Sequence, residues 1–221
     1  PNEVSIDPPQ DQLQRLINFY KQGQLQQALD SAKQLLPKFP NSLTLHNLQG
    51  SANAGLGHFD AAINSFEQAL KIKPDYAEAY YNMGNALKDK GDLEVAIDSY
   101  KQALKIKPDY AGAYNNMGAV LKDKGDLEAA IDSFKKALKI RPDYAEAYNN
   151  MGNALKDKGD LEVAIDSFKQ ALKIKPDYVD AYNNMGKALK DKGDLEAAID
   201  SYKQALKIKP DSQVSLASKL H

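Results

Sequence analysis

The stretch AEAYYNMGNALKDKGDLEVAIDSYKQALKIKPDY, residues 77–110, decides the fold because near-copies of it follow one another along the chain. The period is 34 residues, and the copies begin at Ala77, Ala111, Ala145 and Val179. Self-similarity with a period of about 20–50 residues is typical of stacked supersecondary elements. The repetition therefore predicts a repeat protein rather than a globule built around a buried catalytic centre.

Small and apolar residues within residues 77–110 follow the period of an α-helix twice. The first set lies on one helix face at i, i+3, i+4 and i+7 and consists of Tyr80, Met83, Gly84 and Leu87. The second set follows a short break and consists of Leu93, Ala96, Ile97, Tyr100, Ala103 and Leu104. Two such segments in succession predict a helix-turn-helix pair in every repeat.

The residues between these segments predict where each helix begins and ends. Gly91 suits the left-handed C-cap of the first helix, and Asp92 suits the N-cap of the second. Pro108 ends the second helix because proline lacks the N–H donor that a helix interior needs. Near the start of a later repeat, Asp143 and Glu146 have the spacing of a capping box, which predicts Asp143 at an N-cap.

The period divides the chain into six repeats between a short tail and a remnant. The predicted repeats are residues 9–42, 43–76, 77–110, 111–144, 145–178 and 179–212. Residues 1–8 are predicted to be a disordered tail, and residues 213–221 the start of a further helix or a truncated cap. The first repeat departs from the pattern: Leu16 replaces a glycine, and Pro37 predicts that its second helix ends near Leu36.

The pattern resembles that of the tetratricopeptide repeat (TPR) family. The family's markers occur in register in the repeat that begins at Ala111, as Tyr114, Met117, Gly118, Leu121, Ala130, Phe134, Ala137 and Pro142. The resemblance implies an all-α fold, a right-handed superhelical solenoid of helix-turn-helix repeats. Gly118 and Ala130 would let two helices approach closely, and Phe134 would fill the space between them.

Composition and charge exclude several classes of function. With 29 basic and 30 acidic residues the net charge is −1, so no basic surface for nucleic acid or a membrane is indicated. The chain has no cysteine and only three histidines, His46, His58 and His221, without metal-ligand spacing. His46 is interpreted as a half-buried replacement for a tyrosine. We therefore predict no catalytic residues, no metal, no cofactor and no enzymatic activity.

The polar face of the first helices is the predicted binding surface, because the resemblance places these helices along a concave groove. One row is made of Asn82, Asn116, Asn150 and Asn184. A second row beside it is made of Tyr81, Asn115, Asn149 and Asn183. A third row is made of Lys88, Lys122, Lys156 and Lys190. The asparagines of the first row are expected to face open solvent in the free protein.

A primary amide both donates and accepts hydrogen bonds, as an extended peptide main chain requires. The first row resembles the asparagine ladder of O-linked N-acetylglucosamine transferase, which implies a groove for peptide main chain. The alternative is that asparagine is common at this place in the family and serves solubility. The resemblance also allows a carboxylate clamp, but the required cations are missing, and Glu146 has the wrong sign.

The predicted function is a non-enzymatic protein–protein interaction scaffold that binds an extended peptide segment in its groove. One alternative is the adaptor portion of a larger enzyme of the glycosyltransferase or sulfotransferase type. Another is a self-assembling TPR module that associates through an uncapped C-terminal end. The partner is a protein or peptide of unknown identity. We favour a cytoplasmic over an exported location, with a targeting segment removed before Pro1 as the alternative.

Overall fold

The computed structural model describes residues 6–210, which form twelve α-helices and no strand. The helices are α1 (Gln10–Lys21), α2 (Leu25–Leu35), α3 (Leu43–Gly55), α4 (Phe59–Ile72), α5 (Ala77–Lys90), α6 (Leu93–Ile106), α7 (Ala111–Asp123), α8 (Leu127–Ile140), α9 (Ala145–Lys158), α10 (Leu161–Ile174), α11 (Val179–Lys192) and α12 (Leu195–Ile208). Each 34-residue period holds two of them. The prediction of an all-α helical repeat is confirmed.

The chain forms two compact units, Pro1–Asp109 and Tyr110–His221. Within each unit every helix packs against the next helix in the chain. The first helices of successive repeats also touch one another: α3 contacts α5 in the first unit, and α9 contacts both α7 and α11 in the second. Side chains on these first helices therefore meet across the boundary between two repeats.

The turn inside a repeat depends on a glycine with a left-handed backbone. Gly91 follows α5 with φ of 98°, a value that residues with a Cβ rarely adopt. The N–H groups of Gly91 and Asp92 both donate to the carbonyl of Leu87, at 3.0 and 2.9 Å. These bonds pair the end of the helix and turn the chain into α6. The predicted glycine C-cap is confirmed.

The predicted N-caps agree only in part with the structure. Asp92 and its counterparts precede the second helices, and the side chain of Asp126 accepts a hydrogen bond from Ala129 N at 3.2 Å. The capping box at Asp143 and Glu146 is wrong, since Tyr144 is the N-cap of α9 and makes no side-chain cap bond. Asp143 lies one residue before the cap position.

The core of each later repeat is an aromatic ring seated on a glycine. Phe134 of α8 is fully buried, and a Cβ added at Gly118 of α7 would lie 2.8 Å from its ring. Ala130 and Ala137, on either side of Phe134 along α8, are also fully buried. Small residues thus bring the helices close enough to enclose the ring, as the sequence predicted.

The first repeat reaches the same packing with a different pair of residues. Leu16 of α1 occupies the place of the glycine, and Ala32 of α2 occupies the place of the ring. Both are buried, and they form one cluster with Leu45 of the next repeat. The large side chain has moved from the second helix to the first, so the volume between the helices is retained.

Of the predicted tail, residues 1–8, the structure describes residues 6–8. Pro8 is buried, and the Ser42 hydroxyl donates to the carboxylate of Asp7, so these residues lie against the first repeats. As predicted, α2 stops before Pro37, with its last residue at Leu35 and its C-cap at Leu36. The further helix or cap predicted for residues 213–221 lies outside the described residues.

The exchange of ring and leucine predicts a coupled pair of substitutions in the repeat 111–144. Phe134→Ala alone should cost about 3–5 kcal/mol through the cavity it leaves. Gly118→Leu alone should cost about 1–3 kcal/mol through overpacking against the ring. Together they recreate the Leu16 and Ala32 arrangement, so the double variant should recover about 0.5–3 kcal/mol relative to the sum.

Denaturant unfolding of the full chain, followed by circular dichroism, measures all three variants. Lys139→Ala, on the exposed side of α8, is the control and should change stability by less than about 0.5 kcal/mol. If the free-energy changes of the two core substitutions are strictly additive, the side chains at positions 118 and 134 do not compete for one space.

Candidate functional site

Asparagines on the first helices are hydrogen-bonded from one repeat to the next. In each case the Nδ2 of one amide donates to the Oδ1 of another, 35 residues earlier in the chain. The pairs are Asn82 with Asn47 at 2.9 Å, Asn150 with Asn115 at 3.1 Å, and Asn184 with Asn149 at 3.0 Å. Three of the four asparagines of the first predicted row are thus bonded to the preceding repeat, and they do not face open solvent unpaired as expected.

The second predicted row lies largely between the helices. Asn115 and Asn149 are 6% and 5% exposed, because this side of α7 and α9 faces the first helix of the next repeat. Their Oδ1 atoms accept the hydrogen bonds from Asn150 and Asn184, so these oxygens are not available to a ligand. Tyr81 and Asn183 are half-buried, and the Tyr81 ring lies 6.1 Å from that of Tyr100. The structure thus separates two rows that the sequence treats as equivalent.

The asparagines of the first row keep hydrogen-bonding capacity. Asn82, Asn150 and Asn184 are half-buried, and each uses one N–H in the bond to the preceding repeat. Within residues 6–210 nothing donates to their Oδ1 atoms. Asn116 is also half-buried and accepts from Asn115 Nδ2 at 3.1 Å. The amides of Asn82, Asn150 and Asn184 are therefore held in place by the fold while an acceptor and an N–H remain on each.

Asn47 is part of this arrangement and was missed by the sequence reasoning. It is 9% exposed, accepts from Asn82, and donates through Nδ2 to Glu78 Oε1 at 3.1 Å. The signal was present, since Asn47 lies one period before Tyr81. Counting the second row one repeat further back would have included it.

The lysine row is largely balanced by carboxylates. Each described pair joins a lysine to the next residue: Lys88 to Asp89 at 3.1 Å, Lys122 to Asp123 at 3.0 Å, and Lys156 to Asp157 at 2.7 Å. Lys190, the fourth member, is half-buried like the others. Partly exposed pairs of this kind contribute little to stability. They do leave the face with alternating charge, and the structure shows no basic stripe there.

Glu78 links the asparagine pair to a tyrosine of perturbed acidity. Its Oε2 accepts a hydrogen bond from the Tyr76 hydroxyl at 3.5 Å, while Oε1 accepts from Asn47. Burial, together with the charge and hydrogen bond of Glu78, raises the pKa of Tyr76 to about 12. In the second unit, burial and the charges of Glu146 and Asp180 raise the pKa of Tyr178.

These tyrosines predict a loss of stability in alkali. Their pKa values are raised on folding, so the folded state favours the neutral phenol. The stabilisation is fully present below pH 10 and is lost as the pH rises through about 12. Tyr76→Phe should reduce this alkaline loss of stability, and the part of the loss that is due to Tyr178 should remain. Unfolding midpoints measured across this range test the prediction, and an identical alkaline loss in Tyr76→Phe would contradict it.

The described residues show no metal-binding chemistry. Within residues 6–210 no group of histidine, aspartate and glutamate side chains could hold a metal ion. His46 is half-buried, as interpreted from the sequence, with Nε2 2.9 Å from the carbonyl oxygen of Pro40. Over the same range, no helix combines the length and the apolar character needed to cross a bilayer.

Family models and solved structures match the chain. Models described as TPR repeat match residues 50–91, 84–125, 120–159 and 152–193, and one described as Tetratricopeptide repeat matches residues 179–212. A crystal structure of MamA is 28% identical, with a TM-score of 0.68, and the match covers 75% of this chain and 96% of MamA. No curated protein sequence gives a significant match.

Two less similar structures share the fold. YrrB, described as a TPR protein with an unusual peptide-binding site, is 22% identical with a TM-score of 0.67, over 87% of this chain and 99% of YrrB. PilF of Pseudomonas aeruginosa is 17% identical with a TM-score of 0.78, over 90% of this chain and 91% of PilF.

Paired helices repeated every 34 residues and packed through small residues define an α-helical repeat protein. Models of the TPR family match more than half of the chain, residues 50–212. The chain therefore belongs to the tetratricopeptide repeat family, and its architecture is that of a protein-interaction module.

Proposed function

We propose that the first row of asparagines binds the main chain of an extended peptide. The observation that carries the proposal is that the amides of Asn150 and Asn184 are already oriented by bonds to Asn115 and Asn149. A preorganised amide loses less entropy when it binds a ligand than one free to rotate. In this proposal Asn115 and Asn149 are positioning residues, and they do not touch the peptide.

The chemistry that remains on each amide suits a peptide bond. The Oδ1 of Asn150 or Asn184 would accept from a peptide N–H, and its second N–H would donate to a peptide carbonyl. Asn82 offers the same groups in the first compact unit, and Asn116 lies at the same place in the second. Solubility alone does not require the bonds that hold these amides between repeats.

The spacing of the row fits an extended chain. The first helices of successive repeats in the second unit are in contact, and packed helices lie about 8–10 Å apart. An extended peptide rises about 3.3 Å per residue. Successive asparagines would therefore meet the main chain at about every third residue, while the residues between them remain free of this constraint.

The lysine row is assigned a secondary role. Lys122 and Lys156 lie two helical turns beyond Asn115 and Asn149, on the same side of α7 and α9. Because each pairs with an aspartate, the face attracts neither strongly acidic nor strongly basic partners. The proposed groove thus binds the peptide main chain and has little selectivity for side chains. YrrB supports the fold alone, and the proposal rests on the geometry of the asparagines.

Peptides selected from a random library on the immobilised full chain provide the probe. Asn150→Ala with Asn184→Ala should weaken the best peptide at least about 30-fold, since the pair loses four hydrogen bonds of about 0.5–1.5 kcal/mol each. N-methylation of the peptide at every third residue should weaken it similarly, whereas exchanging its side chains should not. Isothermal titration calorimetry gives each Kd.

The control pair is Gln170→Ala with Gln204→Ala, which removes two exposed amides from the second helices of neighbouring repeats. It should leave the affinity unchanged. If the asparagine variant binds as tightly as this control, the row does not bind the peptide and its role is to join the repeats.

The other predictions from the sequence remain predictions. They are the adaptor portion of a larger enzyme, self-assembly through the C-terminal end, the absence of enzymatic activity and a cytoplasmic location. The proposed groove is compatible with each of them, because none requires the polar face of the first helices.

A further inference from the structure

A separate pocket of about 550 Å³ lies among α2, α3 and α4 of the first compact unit. Its size is that of a small-molecule or side-chain binding site. None of its lining residues belongs to the asparagine row, to Asn47 or to the lysine row. It is therefore distinct from the proposed peptide groove.

The pocket exists where one repeat carries amides in place of apolar residues. Gln49 and Asn53 of α3 occupy the places that Met83 and Leu87 occupy in α5, one period later. Leu87 is 5% exposed and belongs to the buried apolar core. The repeat 43–76 therefore gives up apolar packing at two adjoining places on one helix face.

Asn53 is the residue that points to a ligand. It is only 5% exposed and lines the pocket, yet its side chain has no hydrogen-bond partner within residues 6–210. The amide is not sealed from solvent, since within residues 6–210 only His46 Nδ1 is a buried side-chain polar atom without a partner, so the Asn53 amide is available to a ligand at the pocket. Ser65 Oγ, which donates to the Ala61 carbonyl at 2.9 Å, also lies 3.2 Å from Gln49 Oε1, and Gln49 lines the pocket one helical turn before Asn53.

The charge of the lining has also been changed relative to the later repeats. Gln26 stands where glutamate stands in α6, and Asn64 stands where Asp98 stands, so no carboxylate lines the pocket. The nearby Asp30 accepts from the Gln26 amide at 2.9 Å. Lys33 forms no ion pair with any residue in 6–210, whereas Lys101, at the same place in α6, pairs with Asp98 at 3.3 Å.

The start of α4 adds to the positive potential. His58, the N-cap, and Ala61, in the first turn, both line the pocket. The amino end of a helix carries partial positive charge and favours an anion, and the acidic residue of this first turn, Asp60, lies outside the lining and pairs with Lys90 at 2.8 Å. An unpaired lysine, amide NH2 groups and a helix amino end are thus gathered around one cavity.

We propose that this pocket, lined by Gln26, Lys33, Gln49, Asn53, His58 and Asn64, binds a carboxylate group. Lys33 supplies the opposite charge, and the NH2 group of Asn53 donates a hydrogen bond to the carboxylate. The carboxylate has two possible sources, an acidic side chain of a partner peptide or a free small carboxylic acid.

The full chain, labelled with nitrogen-15, is titrated with a capped pentapeptide that has a central aspartate. The isosteric peptide with asparagine and sodium acetate are titrated in parallel. The aspartate peptide should shift the side-chain amide resonances of Asn53 and Gln49 saturably, and at least about tenfold more tightly than the asparagine peptide. Acetate that binds as tightly as the peptide indicates a free carboxylic acid; weaker acetate indicates a peptide side chain.

Substitutions of lining residues test whether the pocket binds a ligand or is only a structural irregularity of this repeat. Asn53→Leu restores the residue of the later repeats and should raise the melting temperature while weakening the aspartate peptide at least about tenfold. Lys33→Ala should weaken it as well, whereas Lys101→Ala, the matched substitution in α6, should not.

Three results would overturn the proposal. They are equal binding of the aspartate and asparagine peptides, unchanged affinity in Asn53→Leu, and equal effects of Lys33→Ala and Lys101→Ala. Shifts confined to the amides of Asn150 and Asn184 would also do so, because the peptide would then occupy the other surface.

Discussion

The contact between an aromatic ring on the second helix and a glycine on the first sets the geometry of each later repeat. Because a Cβ at Gly118 would lie 2.8 Å from Phe134, the two helices can enclose the ring only if that position has no side chain. The fully buried alanines beside Phe134 allow the same close approach. The positions of the polar residues on the outer faces of the helices follow from this packing.

The candidate groove shows this dependence. Once the first helices of neighbouring repeats are in contact, one of two consecutive asparagines is buried between them and the other lies at the edge. Asn149 thus becomes an acceptor for Asn184, and Asn150 donates to Asn115. The same packing that stabilises the array also orients the groups proposed to bind a peptide, so stability and binding share one set of contacts.

Departures from the repeat pattern fall into two kinds. Leu16 with Ala32 retains the packed volume, since a large residue on one helix is exchanged for a small one on the other. Asn53 does not compensate, because an amide with no hydrogen-bond partner within residues 6–210 replaces an apolar leucine side chain. A change that preserves packing indicates a tolerated variation, whereas one that weakens packing favours a functional role, as in the proposed carboxylate pocket.

The sequence by itself determined the helical repeat, the glycine turns and the end of α2 before Pro37, because period, φ and the missing proline N–H are local properties. It also located the face on which the asparagines lie. Only the tertiary structure decided which asparagine of each pair is buried, since adjacent residues differ by about 100° around a helix and neighbouring helices determine which direction is covered. The unpartnered Asn53 likewise became visible only when its surroundings were known, because partnership and burial are properties of the packed chain.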